Sequence, residues 1–211
     1  MSDSIRIDPS VVAWRGEVDA ESPLLVLLHG RGSNERDLFE LVPFLPDALA
    51  VCSLRAPIPE GSGYSWYPLN LAPGSTPPKD AVEAAVDAIL VFLASLGDSR
   101  SVGLLGFSQG GAMALQLLRQ APERFAYAVQ LSGFVIEGGH DGDAFLKEHR
   151  PAVFWGRGVY DDVISASRVE ATGQWLVEHS MLVEKIYPVA HSVMGEELDD
   201  VSAFIERRLS R

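Results

Sequence analysis

A doubly wound, mostly parallel α/β sheet flanked by helices is the fold that these 211 residues predict. Three observations carry it. Short apolar runs alternate with amphipathic helical stretches along the chain, the order that repeated strand–helix units produce. Several of the runs are continuous rather than alternating, as in parallel strands buried on both faces. One run leads straight into Gly106-Phe-Ser-Gln-Gly110 and then a helical pattern, so a strand must turn into a helix within a few residues.

The elements follow in chain order. Residues 11–15 predict an antiparallel edge strand. Residues 24–29, 50–55, 101–106, 126–131, 152–155 and 182–187 predict the main strands. A helix over 79–96 places Val82, Ala85, Val86, Ile89, Leu93 and Leu96 on one stripe. A second helix, 111–120, must end before Pro122. Residues 167–179 make a third. The last, 195–209, opens with Glu196, Glu197, Asp199 and Asp200, where acids complement the helix dipole, and buries Leu198, Val201, Ile205 and Leu209. Two long connections, 57–78 and 133–151, read as loops, and loops of that length in a compact chain are commonly functional. The first holds Tyr64, Trp66, Tyr67, Leu69 and Leu71. With no repeat or linker in view, residues 1–211 are expected to form a single domain without a large cap.

Composition narrows the function. Hydrophobic residues make up 47% and charged residues 22%, values ordinary for a globular protein in water. The net charge of −12 and the scattered basic residues argue against a nucleic-acid partner. The longest apolar run, Leu24 to Leu28, is far too short to span a bilayer. The opening Met1-Ser-Asp-Ser lacks a basic and an apolar targeting region, so a cytoplasmic location is expected. The single cysteine, Cys52, lies in a strand pattern and reads as a small buried hydrophobe. No cofactor or metal is expected.

The chemistry starts at Ser108. Glycines two residues before and after it relieve the crowding of a tight strand-to-helix turn, and the helix that follows aims free N–H groups at the hydroxyl. A serine needs a base at neutral pH, and histidine suits the task. Of five histidines, His191 stands four residues past a strand end and just before the last helix, the place for a base. An acid must then lie between Ser108 and His191 on a loop after a strand. Asp161 and Asp162 both satisfy that, and spacing does not choose between them. Two backbone donors are needed for an oxyanion: the N–H of Gln109, next to the nucleophile, and that of Arg31 in the Gly-Arg-Gly turn after the first strong strand.

Leu28-His-Gly-Arg-Gly-Ser-Asn-Glu35, Gly106-Phe-Ser-Gln-Gly-Gly111, Leu131-Ser-Gly133, Gly156-Arg-Gly-Val-Tyr-Asp161 and the late His191 together resemble the phospholipase/carboxylesterase branch of the α/β-hydrolases, which includes the acyl-protein thioesterases. The resemblance runs from about residue 24 to 209, in the family's order. It implies an α/β-hydrolase fold and assigns the acid to Asp161, with Asp162 where the family has proline and Arg157 where it has histidine. It also implies that Trp66 and Tyr67 line an acyl groove. The expected activity is a serine carboxylic-ester hydrolase for small to medium acyl esters, working through Ser108, His191 and Asp161. Alternatives are a thioesterase or lysophospholipase with the same residues, or a non-catalytic binding module on the same fold. The expected partner is a small-molecule acyl ester; the loop aromatics could also serve a homodimer contact.

Overall fold

The computed structural model describes residues 5–16, 22–70, 75–97 and 101–209. Leu71 and the opening Met1–Ser4 segment lie outside them. A seven-stranded sheet runs through the molecule: β1 (Ala13–Arg15), β2 (Leu24–Leu28), β3 (Ala50–Leu54), β6 (Val102–Phe107), β7 (Tyr127–Leu131), β8 (Ala152–Gly158) and β9 (Met181–Tyr187), with β4 (Ile58–Glu60) and β5 (Gly63–Ser65) paired apart as a hairpin. The strand order is β1-β3-β2-β6-β7-β8-β9. Only β1 is antiparallel, on β3 at the edge; every other pair in the sheet is parallel.

That order positions the site. The chain steps outward from β2 to β3 and then returns to β6 on the far side of β2. In such sheets a crevice opens at the carboxyl ends of the two strands flanking the reversal. Here those ends carry Gly30–Arg31 and Ser108.

Strand residues alternate between two cores. Leu24, Val26, Leu28, Cys52, Leu104 and Trp155 face α1 (Lys79–Ser95), α2 (Gln109–Gln120) and α4 (Ala166–His179). Leu25, Leu27, Val51, Leu105, Val129 and Phe154 face α5 (Gly195–Leu209) and the 3₁₀ segment Leu38–Phe44. The central strands β2, β3 and β7 are buried at every position, which is why their sequences are mostly apolar without alternation, Ser53 and Gln130 being the polar exceptions.

The structure departs from the expected elements in four places. β8 continues past residue 155 to Gly158, because Arg157 and Gly158 still pair with Ile186 and Tyr187 of β9. Within 133–151, expected as loop, α3 (Gly142–His149) forms; it buries Leu146 and follows Arg119, whose guanidinium is held by Asp143 at 2.7 Å. The loop 57–78 contains the β4–β5 hairpin, joined to the turn after β2 by Tyr64 N–H to Ser33 C=O and Gly32 N–H to Tyr64 C=O, each at 2.8 Å. α2 begins at Gln109, two residues earlier than expected, directly after Ser108.

Candidate active site

Ser108 sits between β6 and α2 with φ +54° and ψ −115°, a backbone state that L-residues seldom adopt. The strain persists because both sides of the turn are pinned. The Ser108 N–H donates to the Leu131 carbonyl at 2.9 Å, and its own carbonyl accepts from Ala112 at 3.1 Å. The turn closes only with glycine. A Cβ on Gly106 would overlap the Gly110 carbonyl, and one on Gly110 would overlap the Leu28 carbonyl.

His191 Nε2 lies 2.9 Å from Ser108 Oγ, and its Nδ1 lies 2.7 Å from Asp161 Oδ2. The ring packs on Phe107, centroids 4.8 Å apart. The Asp161 side chain is only 6% exposed, yet both oxygens are satisfied: Oδ1 accepts from the N–H groups of Val163 at 2.9 Å and Ile164 at 3.1 Å. The loops that carry Asp161 and His191 are tied together. Val159 N–H donates to Tyr187 C=O and Tyr160 N–H to Val189 C=O, while a Cβ on Gly158 would collide with the carbonyls of Val189 and Ala190. Asp162, the other acid the spacing allowed, is exposed.

Arg31 and Gln109 arrive from opposite sides of the strand reversal. A Cβ on the preceding Gly30 would be 3.6 Å from Ser108 Cβ, so the turn after β2 packs on the serine itself. Neither the Arg31 nor the Gln109 N–H donates to any group among the described residues. His29 fixes the plane of the Gly30–Arg31 peptide. Its Nε2 accepts from Ala56 N–H at 3.0 Å, which leaves Nδ1 as the protonated nitrogen, and Nδ1 donates to Gly30 C=O at 2.7 Å. In a planar trans peptide, holding that carbonyl fixes the Arg31 N–H on the other side. Burial pushes the His29 pKa below its ordinary value, keeping the ring neutral as this pattern requires. The Arg31 guanidinium turns away onto Glu60, to which Ser65 Oγ also donates.

Trp66 and Tyr67, expected to line an acyl groove, are instead fully buried. This part of the loop folds under the Ser108 turn, where its backbone has partners. Trp66 N–H donates to Gln109 Oε1 at 3.1 Å, and Gln109 Nε2 donates to Tyr67 C=O at 2.7 Å. Arg157 pairs with Glu184 of β9 at 2.9 Å and lies over the Trp155 ring. Sequence reasoning missed Phe107 and the side chains of His29 and Gln109. The histidine before a glycine turn at a strand end was a signal for one of them.

A parallel sheet with a serine on a strained turn after a central strand, hydrogen-bonded to a histidine and through it to an aspartate, defines an α/β-hydrolase. The chain belongs to the phospholipase/carboxylesterase family, whose profile matches residues 11–209. It is similar to the carboxylesterase SOBER1 of Arabidopsis thaliana, 27% identical over 187 residues that cover 84% of this chain and 78% of that protein. It also resembles acyl-protein thioesterase 1 of Saccharomyces cerevisiae, 31% identical over 115 residues, 50% of this chain and 48% of that one. Among solved structures, the esterase PE8 superposes with a TM-score of 0.78 at 27% identity, covering 96% of this chain and 99% of its own. Matches to curated relatives span from 33% to 78% of those proteins' lengths. No helix among the described residues is long and apolar enough to cross a membrane.

Proposed function

We propose that this chain is a serine carboxylic-ester hydrolase. The observation that carries the reading is the unbroken chain of contacts from Ser108 Oγ to His191 at 2.9 Å and on to Asp161 at 2.7 Å. Ser108 Oγ attacks the acyl carbonyl while His191 Nε2 takes its proton. Asp161 Oδ2 holds Nδ1–H and stabilises the imidazolium that forms. The N–H groups of Arg31 and Gln109 receive the oxyanion. His191 returns the proton to the departing alcohol, and a water activated by the same imidazole releases the acid and restores the serine. A groove of about 590 Å³ beside Arg31, walled in part by Ile58, Pro68, Leu69 and Pro78, suits an apolar acyl chain of small to medium length.

Thioesters are a second substrate class for the same residues, favoured by the similarity to acyl-protein thioesterase 1. Hydrolysis of p-nitrophenyl esters from acetate to palmitate, beside matched acyl thioesters, tests both. Turnover of the shorter esters that disappears in Ser108→Ala supports the proposal. Turnover confined to thioesters moves the assignment to the second class. Activity near the wild-type level in Ser108→Ala refutes the mechanism.

A further inference from the structure

The two N–H groups proposed to receive the oxyanion belong to segments far apart in sequence, Arg31 after β2 and Gln109 at the start of α2. The two turns pack directly on each other, and Trp66 adds hydrogen bonds to both segments. Its indole Nε1–H donates to His29 C=O at 2.8 Å, at the residue whose imidazole holds the Gly30–Arg31 peptide plane. Its backbone N–H donates to Gln109 Oε1 at 3.1 Å, and the same side-chain amide is held at its other end by Tyr67 C=O. The indole packs against the His29 ring with centroids 5.3 Å apart. Every side chain in the circuit, His29, Trp66 and Gln109, is fully buried, so no water competes for these bonds.

We infer that Trp66 is a positioning residue for the oxyanion site: a rigid strut that sets the spacing of the Arg31 and Gln109 N–H groups. The inference rests on the hydrolase reading above. Its physical logic is that an oxyanion donor acts only when already aimed at the developing charge, and displacements of about 1 Å can cost on the order of a hundredfold in rate. An indole has few rotatable bonds, and here both its ring nitrogen and its backbone nitrogen are anchored. It can therefore transmit the position of one segment to the other. The bond to His29 acts on the transition state and leaves the groove beside Arg31 unchanged. Its loss should lower kcat while KM stays put.

The test deletes only the N–H. Benzothienylalanine incorporated at position 66 keeps the bicyclic shape and carries sulfur in place of the nitrogen; Trp66→Phe is the simpler companion. Trp175→Phe serves as the control, since that indole nitrogen is buried with no partner among the described residues and lies on α4. The readouts are kcat and KM on a p-nitrophenyl ester and the affinity of a trifluoromethyl ketone, which forms a tetrahedral adduct. The expected result at position 66 is a fall in kcat of about tenfold or more, an equal loss of ketone affinity, and KM within about twofold. Trp175→Phe should leave all three unchanged. Wild-type kcat and ketone affinity in the benzothienylalanine protein would overturn the inference while the hydrolase reading stands. A raised KM with unchanged kcat would overturn it too, assigning Trp66 to substrate binding. A wild-type chain that neither turns over esters nor binds the ketone would overturn both.

Discussion

Glu197 offers the sharpest quantitative prediction. It lies in the first turn of α5, 1% exposed, and neither carboxyl oxygen makes a hydrogen bond among the described residues. One oxygen fills the space in front of Gly156, where a Cβ would overlap it. Burial raises its pKa from 4.5 to about 7; Met194 N–H lies near enough to favour the charged form slightly, and Asp200 opposes that. The sign follows. Between these two values the folded state holds a proton that the unfolded chain has released, so stability declines as pH rises through about 7 and is fully present only below 4.5. At about 1.4 kcal/mol per pKa step the group costs about 3 kcal/mol above pH 7. For a chain of this size that is roughly 6–12 °C in Tm. Glu197→Gln removes the titration and keeps the shape. Thermal melts of both proteins from pH 4.5 to 8.5 should show the variant gaining that margin as pH rises, with other titrating groups cancelling in the comparison. A Tm difference that stays constant across the range would refute the reasoning.

Three further outcomes are expected. Asp161→Asn should lower kcat by about 10⁴, as when a histidine loses the acceptor that fixes its tautomer, whereas exposed Asp162→Asn should leave it within about threefold; initial rates at saturating ester decide this. Gly110→Ala forces a Cβ into the Leu28 carbonyl and should cost about 3 kcal/mol or more by denaturant unfolding, while Gly139→Ala, with nothing within 4 Å, should cost little. Arg119, 3% exposed, is held by Asp143 and by the carbonyls of Ile136 at 2.8 Å and Gly138 at 2.6 Å; Arg119→Met should destabilise by about 3 kcal/mol in the same assay, because it strands Asp143 and both carbonyls.

The sheet was legible because its central strands are buried on both faces, and Leu24–Leu28 shows that as an unbroken apolar run. The end of β8 was not, since Gly156-Arg-Gly158 continues the ladder through backbone pairing that its side chains do not announce. The three-residue strands of the β4–β5 hairpin are too short to show a period, and α3 buries a single residue, Leu146. At the site, Ser108 and His191 followed from position relative to strands and helices. Asp161 could not be separated from Asp162 by spacing; the geometry favours it because its Oδ1 is fixed by two N–H groups that aim Oδ2 at the imidazole. The burial of Trp66 and Tyr67 was not legible for a physical reason. An aromatic pair in a long loop has the same sequence whether it faces a groove or the underside of the Ser108 turn. Only the bonds to Gln109 and His29 distinguish the two.

The most direct test of the central claim is to trap the covalent intermediate. The protein is mixed with p-nitrophenyl acetate, quenched in acid, digested and analysed by mass spectrometry, beside His191→Ala and Ser108→Ala. The account predicts one acetyl group on Ser108 in the wild type and none at that position in either variant. Acetylation at another residue with turnover intact, or turnover that survives in Ser108→Ala, would contradict it.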